Sequence, residues 1–74
     1  MKKIVELTNN NTKKTITIHE IGYFKKEYIV KLTEVKLVVD EGFCRLIVFE
    51  MRLPTIKAAT EIVKESLNLL NNAQ

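Results

Sequence analysis

The chain has 74 residues, of which 46% are hydrophobic and 28% are charged, and its formal net charge is +3. This length predicts one small domain, residues 1–74, and the hydrophobic fraction argues against a disordered chain. A single cysteine, Cys44, excludes an intramolecular disulfide. Since neither a signal peptide nor a run of membrane-spanning length is evident, we expect a reducing, cytoplasmic setting without membrane contact.

The positive charge is concentrated in the first half of the chain. Residues 1–37 contain eight Lys and four Glu, a net charge of +4, whereas residues 38–74 contain four basic and five acidic residues, a net charge of −1. Mild basicity permits weak attraction to nucleic acid but does not establish it. The basicity therefore belongs to the first three predicted strands.

Two strands joined by a polar turn are predicted at the N-terminus. Residues 3–8 and 15–19 are rich in β-branched side chains, and the second segment alternates cleanly. Residues 9–12 between them have turn chemistry, because Asn bonds to nearby backbone and tolerates left-handed conformations. Gly22 ends the second strand, and residues 23–26 are predicted to form an exposed connection.

The third predicted strand, residues 27–39, contains a change of phase. Tyr28, Val30 and Leu32 occupy even positions, whereas Val35, Leu37 and Val39 occupy odd ones. One extra residue near Thr33 and Glu34, a β-bulge, would bring both sets to the same face. A break into two strands is the main alternative, although Thr33-Glu34 is poor turn chemistry.

A three-residue loop, Asp40-Glu41-Gly42, is predicted to join this strand to a fourth. A type I turn followed by a left-handed Gly would suit it. The resulting pairs are Val39 with Phe43, Leu37 with Arg45, and Val35 with Ile47. The face predicted to lie under the helix contains Val35, Leu37, Val39, Phe43, Ile47, Phe49 and Met51. The opposite face contains Glu34, Lys36, Val38, Cys44, Leu46, Val48, Glu50 and Arg52.

A C-terminal helix of about 17 residues is predicted after Leu53, because Pro54 is accepted in a first helical turn. Its apolar stripe recurs at helical spacing and consists of Ile56, Ala59, Val63, Leu67 and Leu70. Asn71-Asn72 is a reasonable stop signal. The predicted fold class is therefore α+β: a four-stranded antiparallel meander (β-β-β-β-α) with one C-terminal helix packed across one face.

This strand order, with its basic strands, resembles the architecture of small single-stranded-DNA-binding transcriptional coactivators, which dimerise and bind strands along their sheets. The resemblance is one of topology. No motif of that family aligns with these residues, so no functional position is carried over.

No catalytic constellation is evident, and we expect no enzyme activity, cofactor or small-molecule substrate. His19 is the single histidine and alternates away from its apolar neighbours, which favours a solvated position. Cys44 has no activating neighbour in the sequence, so a small buried hydrophobe is the default interpretation. The two glycines form no phosphate-binding loop.

A protein-interaction surface is the favoured functional hypothesis. One helix covers only one side of a sheet, and the second predicted face has an apolar centre framed by charges, as interfaces commonly do. We expect a small regulatory module that forms a homodimer, through this face or through an edge strand, or that docks on a protein partner. The predicted interface residues are Val38, Cys44, Leu46 and Val48.

Nucleic-acid binding is the alternative. The start of the first strand, the second loop and the helix N-terminus fall at one end of a meander and gather Lys side chains beside two aromatic rings, which can stack on bases. Lysines at strand ends also keep a protein soluble and block pairing of edge strands. This explanation is favoured over a nucleic-acid role for these lysines. The residues that would contact single-stranded DNA or RNA are Tyr23, Phe24, Lys25, Lys26, Lys31, Lys36 and Arg52.

Overall fold

The computed structural model describes residues 1–72, which form one antiparallel sheet and two helical segments. The strands are β1 (Lys2–Asn9), β2 (Lys14–Ile21), β3 (Glu27–Val38) and β4 (Gly42–Leu53), and they lie in the sheet in chain order. The helices are α1 (Ile56–Glu65) and α2 (Leu67–Asn71). The predicted α+β meander is confirmed, with the helical part divided in two.

The core lies between the two central strands and the helices. Ile16 and Ile18 of β2 and Val30 and Leu32 of β3 have almost no solvent exposure. They face three buried helical residues, Ala59, Val63 and Leu70. Each large aliphatic side chain buried in this way contributes about 1.5–3 kcal/mol. We call this side of the sheet the helix-bearing face and the other side the open face.

The helical part begins at a capped N-terminus and is interrupted at Ser66. Thr55 precedes α1, and its side-chain oxygen accepts a hydrogen bond from the Ala58 backbone N–H at 3.1 Å. The Ser66 hydroxyl donates to the Ile62 carbonyl at 2.7 Å. A short hydroxyl side chain that bonds back to the preceding turn bends a helix. The expected continuous helix is therefore two segments.

A one-residue bulge lies in β4, and the predicted bulge in β3 is wrong. Leu32 pairs with Phe49 and Thr33 pairs with Ile47, which leaves Val48 without a partner in β3. The change of phase near Thr33 is real, but the extra residue belongs to the opposite strand. We call this irregularity the β4 bulge.

The β4 bulge reverses the predicted faces of the hairpin. Side chains alternate along β3 without interruption, so Val35 and Leu37 lie on the open face when Leu32 lies in the core. Phe43 pairs with Leu37 and therefore also lies on the open face. Beyond the bulge the alternation is shifted by one residue, and Phe49 packs against the core. Five hairpin residues therefore lie on the open face: Val35, Leu37, Phe43, Arg45 and Ile47. All of them except Arg45 were predicted to lie under the helix.

The hairpin loop also closes one residue earlier on each strand than predicted. Val38 pairs with Gly42 and Leu37 pairs with Phe43, so Val39 belongs to the loop. The loop backbone has φ angles of 71° at Asp40 and 80° at Gly42. The left-handed glycine was expected and the left-handed aspartate was not, although Asp tolerates this conformation. The pairing register consequently moves by two residues, which preserves the grouping of side chains by face.

The turn between β1 and β2 holds the end of α2 through side-chain hydrogen bonds. The Lys14 ammonium is buried and donates to the Leu69 carbonyl at 2.9 Å and the Asn72 carbonyl at 2.8 Å. The Thr12 hydroxyl donates to the Leu70 carbonyl at 2.6 Å. A cation at a helix C-terminus satisfies carbonyls that lack intrahelical partners. We call this arrangement the C-terminal clamp.

Removing the Lys14 ammonium should destabilise the fold. Lys14→Met retains most of the aliphatic stem but leaves two helix-end carbonyls without their charged donor, at an expected cost of about 2 kcal/mol in the free energy of unfolding. Lys36→Met is the matched control, because the exposed Lys36 ammonium lies 3.7 Å from Glu34 in a surface ion pair that contributes under about 1 kcal/mol. Urea unfolding measures both changes, and equal losses would contradict the role of the clamp.

Candidate interaction surfaces

The end of the β3–β4 hairpin extends beyond the rest of the sheet. Lys14 and Glu34 form the last pair between β2 and β3, and the backbone N–H of Val35 makes a further bond to the Lys13 carbonyl at 2.9 Å. Within residues 1–72, the segment 35–45 has no third strand beside it. We call this segment the arm.

The arm exposes large apolar side chains on the open face. Leu37 is 70% exposed, Phe43 is 78% exposed, and Ile47 at the base of the arm is 59% exposed. These three residues were predicted to form core. Exposed apolar residues that adjoin one another mark interaction sites more often than isolated ones do.

The four predicted interface residues lie on and beside the arm, but not on the predicted face. Val38, Cys44 and Leu46 share the helix-bearing face, because they alternate with open-face residues such as Phe43. Cys44 is half-buried, and its thiol lies 3.8 Å from a Glu41 carboxylate oxygen. The helices leave Leu46 uncovered at 43% exposure. Val48 is the unpaired residue of the β4 bulge and is also about half exposed.

The outer edge of β4 is long and weakly protected against pairing. No described strand lies beyond it in the sheet, which ends at β4. Its twelve residues include one charge, Arg45, before Glu50. The opposite edge, β1, is eight residues long, begins with Lys2 and Lys3, and contains a register shift between Lys3 and Val5. Lysines, bulges and short length are the usual protections of an edge strand, and β4 shares only the bulge.

The open face over β1–β3 is polar. Threonines from three strands lie side by side, and the Thr8 and Thr15 hydroxyl oxygens are 3.2 Å apart. The Arg45 guanidinium crosses this face and donates to the Thr33 hydroxyl at 3.0 Å. A shallow depression of about 350 Å³ is lined by Lys3, Glu6, Thr8, Thr15, Thr17, His19, Lys31, Thr33 and Arg45.

The cations of the sheet stand beside carboxylates. The Lys31 ammonium lies 3.8 Å from Glu50, and the Arg52 guanidinium lies 3.9 Å from Glu27. Lys36 was predicted to act with them, but it alternates onto the helix-bearing face of the arm and pairs with Glu34. The predicted basic sheet is therefore divided between two faces and partly neutralised.

The remaining predicted nucleic-acid contacts lie in the loop between β2 and β3, residues 22–26, which we call the aromatic loop. Tyr23 and Phe24 are fully exposed. The Lys26 ammonium lies 3.3 Å from Glu20. Gly22 shapes the loop with a φ of 100°, and a Cβ there would lie 2.3 Å from the Lys25 carbonyl oxygen. The loop is at the same end of the sheet as Lys2, which pairs with Glu20.

Two features of these surfaces were missed from the sequence. Arg45 was predicted only as the partner of Leu37 and was given no role, whereas its guanidinium crosses the open face to Thr33. The alternation of Thr15 and Thr17 was present in the sequence and could have indicated a polar open face, since their strand neighbours Ile16 and Ile18 are core.

Among residues 1–72, no group of three or more His, Cys, Asp and Glu side chains is arranged to hold a metal ion. The same residues contain no helix with the length and apolar character needed to cross a bilayer. Comparison of the chain with protein families, curated proteins and solved structures finds no match.

Proposed function

We propose that this chain is a small non-enzymatic binding module that acts as a regulatory or adaptor protein and self-associates through the arm and β4. The observation that carries the proposal is the exposure of apolar residues on an unpaired edge strand. A 74-residue domain has a small core, so burying this surface in a second copy would also stabilise the fold.

The exposure of the apolar side chains of the arm favours a role in binding over a structural role in the monomer. Its apolar residues contribute little to the core, because Leu37, Phe43 and Ile47 remain mostly exposed. The monomer would lose little packing if they were polar. Their apolar character therefore favours a function at a contact between molecules, where a large apolar side chain is worth about 1.5–3 kcal/mol on burial.

Leu46→Glu should weaken self-association without unfolding the domain. A carboxylate at this position on β4 would be desolvated in the contact, and an increase of at least tenfold in the dimer dissociation constant is expected, equivalent to about 1.4 kcal/mol. Leu69→Glu is the matched control, since Leu69 of α2 is 48% exposed and Leu46 is 43% exposed. Sedimentation equilibrium measures both variants. A native chain that is monomeric at every concentration would contradict the proposal.

Nucleic-acid binding by the aromatic loop is the second candidate, favoured by the full exposure of Tyr23 and Phe24. Aromatic side chains beside lysines bind single strands by stacking on bases and contacting phosphates. The ion pairs of Lys31 and Arg52 weaken the case for the open face, and Lys26 is itself paired with Glu20 at 3.3 Å, which leaves Lys25 as the loop cation best placed for this role.

Replacing both rings, in Tyr23→Ala with Phe24→Ala, should reduce any affinity for single-stranded oligonucleotides by at least tenfold, because each lost stack costs about 1–3 kcal/mol. Native binding should also weaken steeply as salt rises. Fluorescence anisotropy at two salt concentrations measures both effects, with Ile56→Ala as a control at an exposed apolar residue outside the loop. Absence of native binding at low salt would exclude this candidate.

A further inference from the structure

We propose that two copies of this chain pair through their β4 edges about a two-fold axis at the β4 bulge, in the antiparallel register that places Gly42 of one copy opposite Leu53 of the other. The inference rests on the proposed self-association and specifies the pairing of the β4 edges. In this register Phe43 lies opposite Arg52 of the second copy, and Leu37 on β3 stays on the open face of the joined sheet. The product is a continuous eight-stranded sheet with the helices of both copies on the same side.

The β4 bulge makes this register possible. When the whole of β4 pairs with β4 of the second copy, Cys44 lies opposite Met51 and Leu46 lies opposite Phe49. The sequence numbers of the two residues in each pair differ by an odd number. In a regular strand such partners would point to opposite faces, and the pairing would be forbidden. The unpaired Val48 shifts the alternation by one residue. As a result, each of these residues and its partner in the second copy lie on the same face.

Charge complementarity supports the same register. Arg45 lies opposite Glu50 of the second copy, and the two-fold axis generates this pair twice. Both side chains are on the open face, where opposite charges across strands are favourable. The Arg45 guanidinium, which donates to Thr33 in the single chain, would turn outward to reach this carboxylate. Glu50 already lies 3.8 Å from Lys31, and its side chain is 49% exposed, so it has room for a second cation. A register centred on Arg45 would instead oppose two guanidinium groups.

Apolar complementarity supports it on the helix-bearing face. Leu46 and Cys44 of one copy lie opposite Phe49 and Met51 of the other. Met51 is 40% exposed in the single chain although it pairs with the buried Val30. The arm of each copy lies beside the second half of the other copy's β4. The arm therefore covers Met51 of that copy. Roughly ten backbone hydrogen bonds would form between the two edges, about one for each residue pair away from the bulge.

The native Cys44 provides a direct test of the register. In Met51→Cys, the introduced thiol lies opposite Cys44 of the second copy, at the 4.5–5.5 Å Cβ separation typical of directly opposed residues, which small adjustments bring within disulfide reach. Mild oxidation with copper phenanthroline should convert most of this variant to a covalent dimer on non-reducing gels. The wild type and the double variant Cys44→Ser with Met51→Cys should both stay uncrosslinked.

Each contrary outcome identifies what has failed. Cross-linking of the wild type, or of the variant that lacks Cys44, would place identical positions opposite each other and overturn the register. A dimer in sedimentation that gives no cross-link in Met51→Cys would overturn the register while leaving self-association intact. A chain that sediments as a monomer throughout would overturn both.

Charge reversal tests the register without cysteine chemistry. Arg45→Glu should raise the dimer dissociation constant about tenfold, because it opposes two carboxylates across the axis. Glu50→Arg should have a similar effect, since it opposes two guanidinium groups. Combining the two substitutions should restore most of the lost affinity, with circular dichroism confirming the fold. A combined variant that associates no better than either single variant would contradict the pairing of Arg45 with Glu50.

Discussion

One extra residue in β4 determines which side chains each face of the hairpin presents. Val48 has no partner in β3, and the side-chain alternation of β4 therefore differs on its two sides. Phe49 and Leu53 can pack against the core while Phe43 and Ile47 face outward. Without the bulge, one of these sets would have to change face. The proposed two-fold axis passes beside Val48. The β4 bulge therefore affects both the packing of the core and the contact between the two copies.

The position of the last helical segment depends on polar contacts. The C-terminal clamp ties α2 to the turn between β1 and β2, which brings Leu70 into the core. Asn9 organises that turn, because its side-chain oxygen accepts the backbone N–H groups of Asn11 and Thr12. Apolar packing holds the sheet and the helices together, and part-buried hydrogen bonds fix the position of α2.

The strand order and the central core could be predicted from the sequence because they depend on local signals. Ile16 and Ile18 alternate with threonines, and a short polar turn makes neighbouring strands antiparallel. The face of the arm could not be predicted in the same way. β4 is apolar at nearly every position from Phe43 to Phe49, so its composition carries no information on phase, and the change of phase visible in β3 could be accommodated by a bulge in either strand.

The clamp was not predictable either, since Lys14 contacts residues more than fifty positions away and a lysine in a strand is usually exposed. The candidate surface was located in part: Val38, Cys44, Leu46 and Val48 do lie on or beside the exposed arm, although their face was wrong. The basic sheet was predicted from charge alone, and sequence does not show which lysines stand beside carboxylates across a strand.

The proposed dimer requires the β4 edge to be paired with a second copy in solution. Amide hydrogen exchange measured by NMR at high protein concentration tests this pairing, because half of the β4 backbone N–H groups point away from β3. We expect these outward amides to exchange as slowly as those of β3 and to become fast on dilution, while the outward amides of β1 exchange fast throughout. Fast exchange of the outward β4 amides at every concentration would contradict it.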